Sequence, residues 1–274
     1  MDDSALDGID ALLHWLEQDA RAEPKKRRKL PSFGAAPPLQ LLGLAVPTVY
    51  TRSEGEADEL CADWQRRHAA GTLGPVGLDI EWRVTYEEGA TQRPTATVQL
   101  ASATSVLVLH LCCMRRLPSA LRALLTDATL PKAGCKVGND AMKLRRDFGV
   151  RCAALCELGP LANRTLHHGQ RPWNLADLCE AALKRRLPKE LRLSDWESAP
   201  LDPELLHYAA LDAWASRAVC MELLRRLPPE QPSGGAGRCC GIPPDLLSAT
   251  PIDPMESRRP PAPPPACAQR KTAS

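Results

Sequence analysis

Val76-Gly77-Leu78-Asp79-Ile80-Glu81-Trp82 is the stretch on which the reading of this chain turns. Its apolar residues alternate with Gly77, Asp79 and Glu81, which predicts a strand with two unlike faces. Successive side chains on a strand point opposite ways, so Leu78, Ile80 and Trp82 share one face and Gly77, Asp79 and Glu81 the other. The first face can anchor the strand in a core while the second turns two carboxylates toward a cleft. Two ionised carboxylates this close repel, and a counter-cation relieves the repulsion. Oxygen donors suit a hard ion such as Mg²⁺ or Mn²⁺, where zinc would favour Cys and His. An isolated Asp-x-Glu pair is equally what the wet face of an edge strand looks like.

Working outward, residues 95–102 and 105–111 read as two further strands and 135–139 as a short one. Helical spacing covers 56–69, 118–127, 140–148, 174–184 and 203–226, with Asp202 as N-cap and Pro203 just inside the last helix. Successive strands followed by alternating strands and helices predict an α/β domain: a mixed sheet with an antiparallel meander on one side, flanked by helices. Two more acids attract notice. Asp140 opens the helix at 140–148, either as an ordinary cap or as a third metal carboxylate at the carboxyl edge of the sheet. Asp212 lies beside the inward stripe Leu205, Tyr208, Leu211 and Ala215, and Tyr208 and Asp212, four apart, share a helix face. A buried Asp needs a cation or another partner.

In this order, Asp79-x-Glu81, Asp140 and Tyr208-x-x-x-Asp212 resemble the 3′–5′ exonucleases named for four acids and a tyrosine (the DEDDy type). The resemblance is to the Werner-syndrome-like exonuclease domain in particular. It is carried also by Lys132-Ala133-Gly134, Lys143-Leu144-Arg145-Arg146-Asp147-Phe148, Trp173-Asn174-Leu175 and Ser194-Asp195-Trp196, and spans roughly 76–226. Asn139 departs from it, standing where a glycine is common. The resemblance implies a ribonuclease H-like fold with a mixed five-stranded sheet. It further implies two Mg²⁺ or Mn²⁺ ions held by Asp79, Glu81, Asp140 and Asp212, with Tyr208 orienting the attacking water. The expected reaction releases nucleoside 5′-monophosphates from the 3′ end of DNA. An RNA substrate, as for ribonuclease D, and a catalytically inactive nucleic-acid-binding adaptor are the alternatives. No helicase segment follows in this sequence, which leaves open work alone or beside a separate helicase.

Around the site, an apolar residue at Trp82 can lie near the terminal base in this family, although strand alternation points Trp82 to the core. Lys143, Arg145 and Arg146 are candidate phosphate contacts or an exposed helix face. Lys184-Arg185-Arg186 and Lys189 read as a surface patch, and Trp196 as a packing residue. Cys152-x-x-x-Cys156 followed by His167-His168 does not have the spacing of a usual zinc finger. Cys112-Cys113, ending a strand, is expected in the core.

The rest of the chain sets the context. With 35 Lys and Arg against 33 Asp and Glu the net charge is only +2, so contact with nucleic acid must come from local clusters rather than a global field. One cluster is the run Lys25-Lys26-Arg27-Arg28-Lys29, which resembles a nuclear import signal and predicts a nuclear protein. It lies in a Pro-containing linker through residue 39. Before it, Leu6, Ile9, Leu13 and Leu16 predict an amphipathic helix over 4–18, either packed on the domain or docking a partner protein. The exonuclease domain is expected over 40–227. The Pro-rich remainder, 228–274, is expected to be disordered. Eleven cysteines, an odd number with no secretory leader ahead of them, favour reduced thiols. No apolar run approaches the roughly 20 residues that span a bilayer.

Overall fold

The computed structural model describes residues 39–85, 91–167, 169–188, 194–227, 242 and 246–248. All of these belong to the compact unit that starts at Leu39. The expected helix at 4–18, the basic run at 25–29, Lys189, His168 and most of the Pro-rich tail lie outside the described residues.

The strands are β1 (Thr48–Thr51), β2 (Val76–Glu81), β3 (Thr97–Ala101), β4 (Val106–His110), β5 (Lys132–Gly134), β6 (Leu155–Glu157) and β7 (Leu247–Ser248). The helices are α1 (Glu54–Ala69), α2 (Ser119–Thr126), α3 (Val137–Phe148), α4 (Leu158–Leu166), α5 (Leu175–Leu178, running into a π-helical turn at Cys179–Leu183) and α6 (Pro203–Arg226). One sheet orders the strands β1-β4-β3-β2-β5-β6-β7. The meander is β2-β3-β4, and β5 and β6 continue in parallel from the other side of β2. These five are the expected mixed sheet. Two strands not read from the sequence extend it, β1 parallel to β4 and β7 antiparallel to β6. At four and two residues they are too short to show alternation.

Alternation sorts the sheet's side chains into two layers. Leu78, Ile80, Val98, Leu100, Leu107 and Leu109 pack with Trp64, Leu121 and Leu144 of α1, α2 and α3. On the opposite face Ala101, Val106 and Val108 meet Tyr208, Ala209 and Ala213 of α6. Helix α6 can lie directly on β2 because Gly77 has no side chain: a Cβ there would sit 1.9 Å from the carbonyl oxygen of Ala213. At its start the Asp202 side chain accepts from the Glu204 N–H, with Pro203 following, as the sequence predicts.

Two expectations are corrected. The strand expected at 135–139 is β5, three residues earlier, and α3 is already helical at Val137. The chain turns between them at Lys136, which is left-handed at φ 64°. The cap of α3 is not Asp140. It is Glu157, at the end of β6, whose carboxylate accepts from the Lys136 N–H at 2.5 Å and also from Val137 and Gly138. Second, part of the tail expected to be disordered belongs to the fold. Ile242 is fully buried in the cluster of Cys156, Val219 and Leu223, and Leu247–Ser248 pairs with the edge of β6. An open strand edge and an apolar slot give those residues the burial that tail composition does not advertise.

Candidate active site

β2 and α6 bring three acids together. Asp79, Glu81 and Asp212 each place a carboxylate oxygen within 4.8 Å of the other two. Glu81 and Asp212 are buried and Asp79 keeps partial access to solvent. Asp140, in the first turn of α3, stands outside that three-oxygen set, yet its charge acts on Asp79. Burial, then the charges of Glu81, Asp212 and Asp140, hold the Asp79 carboxyl well above the usual carboxylate range. All three neighbouring charges push the same way. A set of oxygen donors that raise one another's cost of ionisation fits a hard divalent cation, and Asp79, Glu81 and Asp212 could hold one directly.

Tyr208, one helical turn before Asp212, is hydrogen-bonded to it. Burial and the charges of Asp212, Glu81 and Asp79 push the phenol above its ordinary value, so it stays protonated and can donate. Its ring packs against the indole of Trp196, with centroids 6.1 Å apart. Trp196 is fully buried, the packing role the sequence suggested, and is itself held from the sheet. His110 Nε2 donates to the Trp196 carbonyl at 3.0 Å, Tyr50 bonds His110 Nδ1 at 2.8 Å, and the Leu201 N–H donates to the Tyr50 oxygen at 3.2 Å. These bonds tie the segment 194–201, and through it the tyrosine, to β1 and β4.

The expected substrate contacts divide. Lys143 is buried and is corrected to a structural role: its ammonium donates to Arg93 O at 2.7 Å and Asp147 Oδ2 at 3.0 Å. It also lies 4.9 Å from the Trp82 ring. Trp82 is half-buried and packs on the core side of β2, as alternation indicates. Arg145 is buried as well, against the expectation of a phosphate contact. Of this group only Arg146 is exposed, touching Gln92 at 3.3 Å. Lys184, Arg185 and Arg186 are exposed. Cys112 and Cys113 are exposed too, contrary to the core placement expected.

Sequence reasoning missed Gln99 and Glu157. Gln99 pairs directly across from Asp79 and is fully buried. Its Nε2 donates to Thr97 Oγ1 at 2.6 Å, while its Oε1 has no hydrogen-bond partner. An amide in the middle of a buried strand was the available signal. Glu157 gave none, because the backbone amides at the start of α3 that it accepts from begin at Lys136, 21 residues earlier in the chain.

Residues 52–228 match the family described as 3′-5′ exonuclease. A 3′-5′ exonuclease of Arabidopsis thaliana is 38% identical over 144 residues, 52% of this chain and 49% of that one. The Mus musculus protein named bifunctional 3′-5′ exonuclease/ATP-dependent helicase WRN is 32% identical over 178 residues, 64% of this chain and 12% of that one. The chain thus spans about half, or less, of the length of these relatives. Among solved structures, the EXO domain of Aedes aegypti Nibbler superposes with a TM-score of 0.57 at 20% identity, covering 68% of this chain and 92% of that one. Escherichia coli RNase D gives 0.56 at 20% identity, covering 65% and 44%. At such identities the likeness speaks for the fold, which is ribonuclease H-like. The matched segment runs from the end of β1 through α6 and contains all four acids and Tyr208, and the chain belongs to the 3′-5′ exonuclease family.

Proposed function

We propose that this chain is a divalent-metal-dependent 3′–5′ exonuclease that hydrolyses DNA from the 3′ end and releases nucleoside 5′-monophosphates. The observation that carries the reading is the meeting of Asp79, Glu81 and Asp212 from β2 and α6, with Tyr208 bonded to the last of them. Asp79, Glu81, Asp140 and Asp212 would hold two Mg²⁺ or Mn²⁺ ions. Such ions lower the pKa of bound water and neutralise charge on a leaving 3′ oxygen. The protein's own groups do the rest. Tyr208, kept protonated, donates to the attacking water and aligns it rather than taking its proton. Asp212 orients the phenol and Trp196 holds its ring in place. Arg146, exposed on the helix that carries Asp140, is the remaining candidate for a phosphate contact.

DNA is favoured by the 32% identity to the mouse exonuclease/helicase, and the import-like run Lys25–Lys29 supports a nuclear enzyme. The test is to digest end-labelled DNA and RNA oligonucleotides with Mg²⁺ or Mn²⁺, using the parent and an Asp79→Ala, Asp212→Ala double variant. The parent should shorten DNA from its 3′ end to 5′-monophosphates and the double variant should be inert. Equal rates for the two proteins would overturn the assignment. Digestion of RNA alone would move the substrate to RNA, and a parent inert with both metals would return the chain to the adaptor reading. For location, replacing Lys25–Lys29 by alanine in a fluorescent fusion should abolish nuclear accumulation; undiminished accumulation refutes the import role.

A further inference from the structure

β4 ends in His110, and a 3₁₀ turn, Leu111–Cys113, follows it. The turn leaves Cys112 and Cys113 exposed beside the buried imidazole. One ring nitrogen of His110 and the two Sγ atoms lie within 4.8 Å of one another. The two thiols are hydrogen-bonded together. The tautomer of the ring follows from its partners. A carbonyl oxygen only accepts, so Nε2, 3.0 Å from Trp196 O, carries the proton. The lone pair is therefore on Nδ1, where it accepts from the Tyr50 hydroxyl at 2.8 Å. Metal-ligating histidines are commonly held in this way, the second ring N–H fixed on a backbone carbonyl or carboxylate.

We propose that Cys112, Cys113 and His110 form a binding site for a thiophilic divalent cation of the Zn²⁺ or Cd²⁺ type, separate from the acidic cluster on β2 and α6. Thiolate and imidazole donors select such ions over Mg²⁺. Bond lengths of about 2.3 Å to sulfur and about 2.0 Å to nitrogen put tetrahedral ligand atoms about 3.5 Å apart. Rotation of two exposed cysteine side chains supplies the remaining closure of about 1 Å. Binding releases both thiol protons, and two thiolates balance a doubly charged ion. The carboxylate of Glu197 also acts on Cys112, but it is paired with Arg93 at 2.7 Å, so that neighbouring pair adds no net charge and the thiolates themselves balance the ion. Nδ1 exchanges the Tyr50 hydroxyl for the metal, and Tyr50 keeps its bond from the Leu201 N–H. With three protein ligands and an exposed outer side, the fourth position falls to water.

The experiment uses the full chain, reduced with a phosphine and stripped with a chelator, titrated with Co²⁺ and then with Zn²⁺. The parent should show thiolate-to-cobalt charge-transfer and tetrahedral d–d bands that saturate at one equivalent and vanish as Zn²⁺ displaces the cobalt. Asp79→Asn should leave these bands unchanged, because the acidic cluster has no sulfur. A Cys112→Ser, Cys113→Ser double variant, altered only at exposed positions, should lose more than 90% of the band intensity. Since the chain has eleven cysteines, bands that persist in that variant would assign the signal to other thiols and overturn the proposal. Absence of the bands in the parent would overturn it equally.

Discussion

Gly77→Ala is the most demanding test of how the acidic site is assembled. The added methyl would meet the Ala213 carbonyl oxygen at 1.9 Å, and the Arg217 backbone nitrogen lies 3.0 Å away, so the obstacle is helix backbone and not a yielding side chain. To restore ordinary contact, α6 must retreat from β2 by about 1.5 Å. Overpacking of this kind costs about 1–3 kcal/mol. In a domain of this size that is a fall of about 2–12 °C in Tm. The same retreat carries Asp212 and Tyr208 away from Asp79 and Glu81. A displacement of even about 1 Å in reacting groups can lower the rate about 100-fold. Two assays suffice: thermal unfolding with and without Mn²⁺, and release of mononucleotides from a labelled oligonucleotide. The variant should be folded, less stable, about 100-fold slower, and much less stabilised by Mn²⁺ than the parent. A Gly77→Ala protein matching the parent in Tm, metal response and rate would refute the claim that this close approach builds the site.

Three further outcomes are expected. The folded chain holds the Asp79 proton more tightly than the unfolded chain does, because its folded pKa is raised. Without metal, stability therefore falls as pH rises from about 4 through that raised value. In chelator at pH 7, Asp79→Asn should then be more stable than the parent, with the gap closing toward pH 4; a gap that widens on acidification contradicts the sign. Asp147→Ala leaves the buried Lys143 ammonium without its carboxylate and should cost about 3–5 kcal/mol in urea unfolding. Pairing Lys143→Met with Asp147→Asn should recover most of that loss, and equal losses in the two proteins would argue against a buried charge as its cause. Tyr50→Phe removes the hydroxyl that meets His110 and the Leu201 N–H. It should lower kcat while KM and the Mn²⁺-induced rise in Tm hold, because it loosens Trp196 against Tyr208; a change in KM alone would exclude that route.

The parts of this molecule that could be read from the sequence are those specified by short-range periodicity. β2 shows its two faces within seven residues, and α6 announces itself by Asp202, Pro203 and a long apolar stripe. Asp79, Glu81, Tyr208 and Asp212 stand on those two elements, and the structure brings them together. What failed depends on partners distant in the chain. The cap alternative for Asp140 fails because the group that caps α3, Glu157, comes from another strand. Lys143 looked like a surface cation because its acceptors are a loop carbonyl 50 residues earlier and an acid one helical turn on. Cys112 and Cys113 looked like core because the apolar run of β4 continues through them, where the backbone tightens into a 3₁₀ turn.

The brief pairing of Leu247–Ser248 with β6 has a practical bearing on anyone shortening this protein. Composition recommends a cut after Leu227, where proline begins. Such a cut would strip the outermost strand from the sheet and empty the place that Ile242 fills, leaving β6 with unpaired amides beside a greasy hollow. Naked edges of this sort recruit neighbours. A fragment ending at 227 should self-associate and precipitate where one extended past 248 stays dispersed, so poor behaviour of the shorter piece would say nothing about the catalytic half of the molecule.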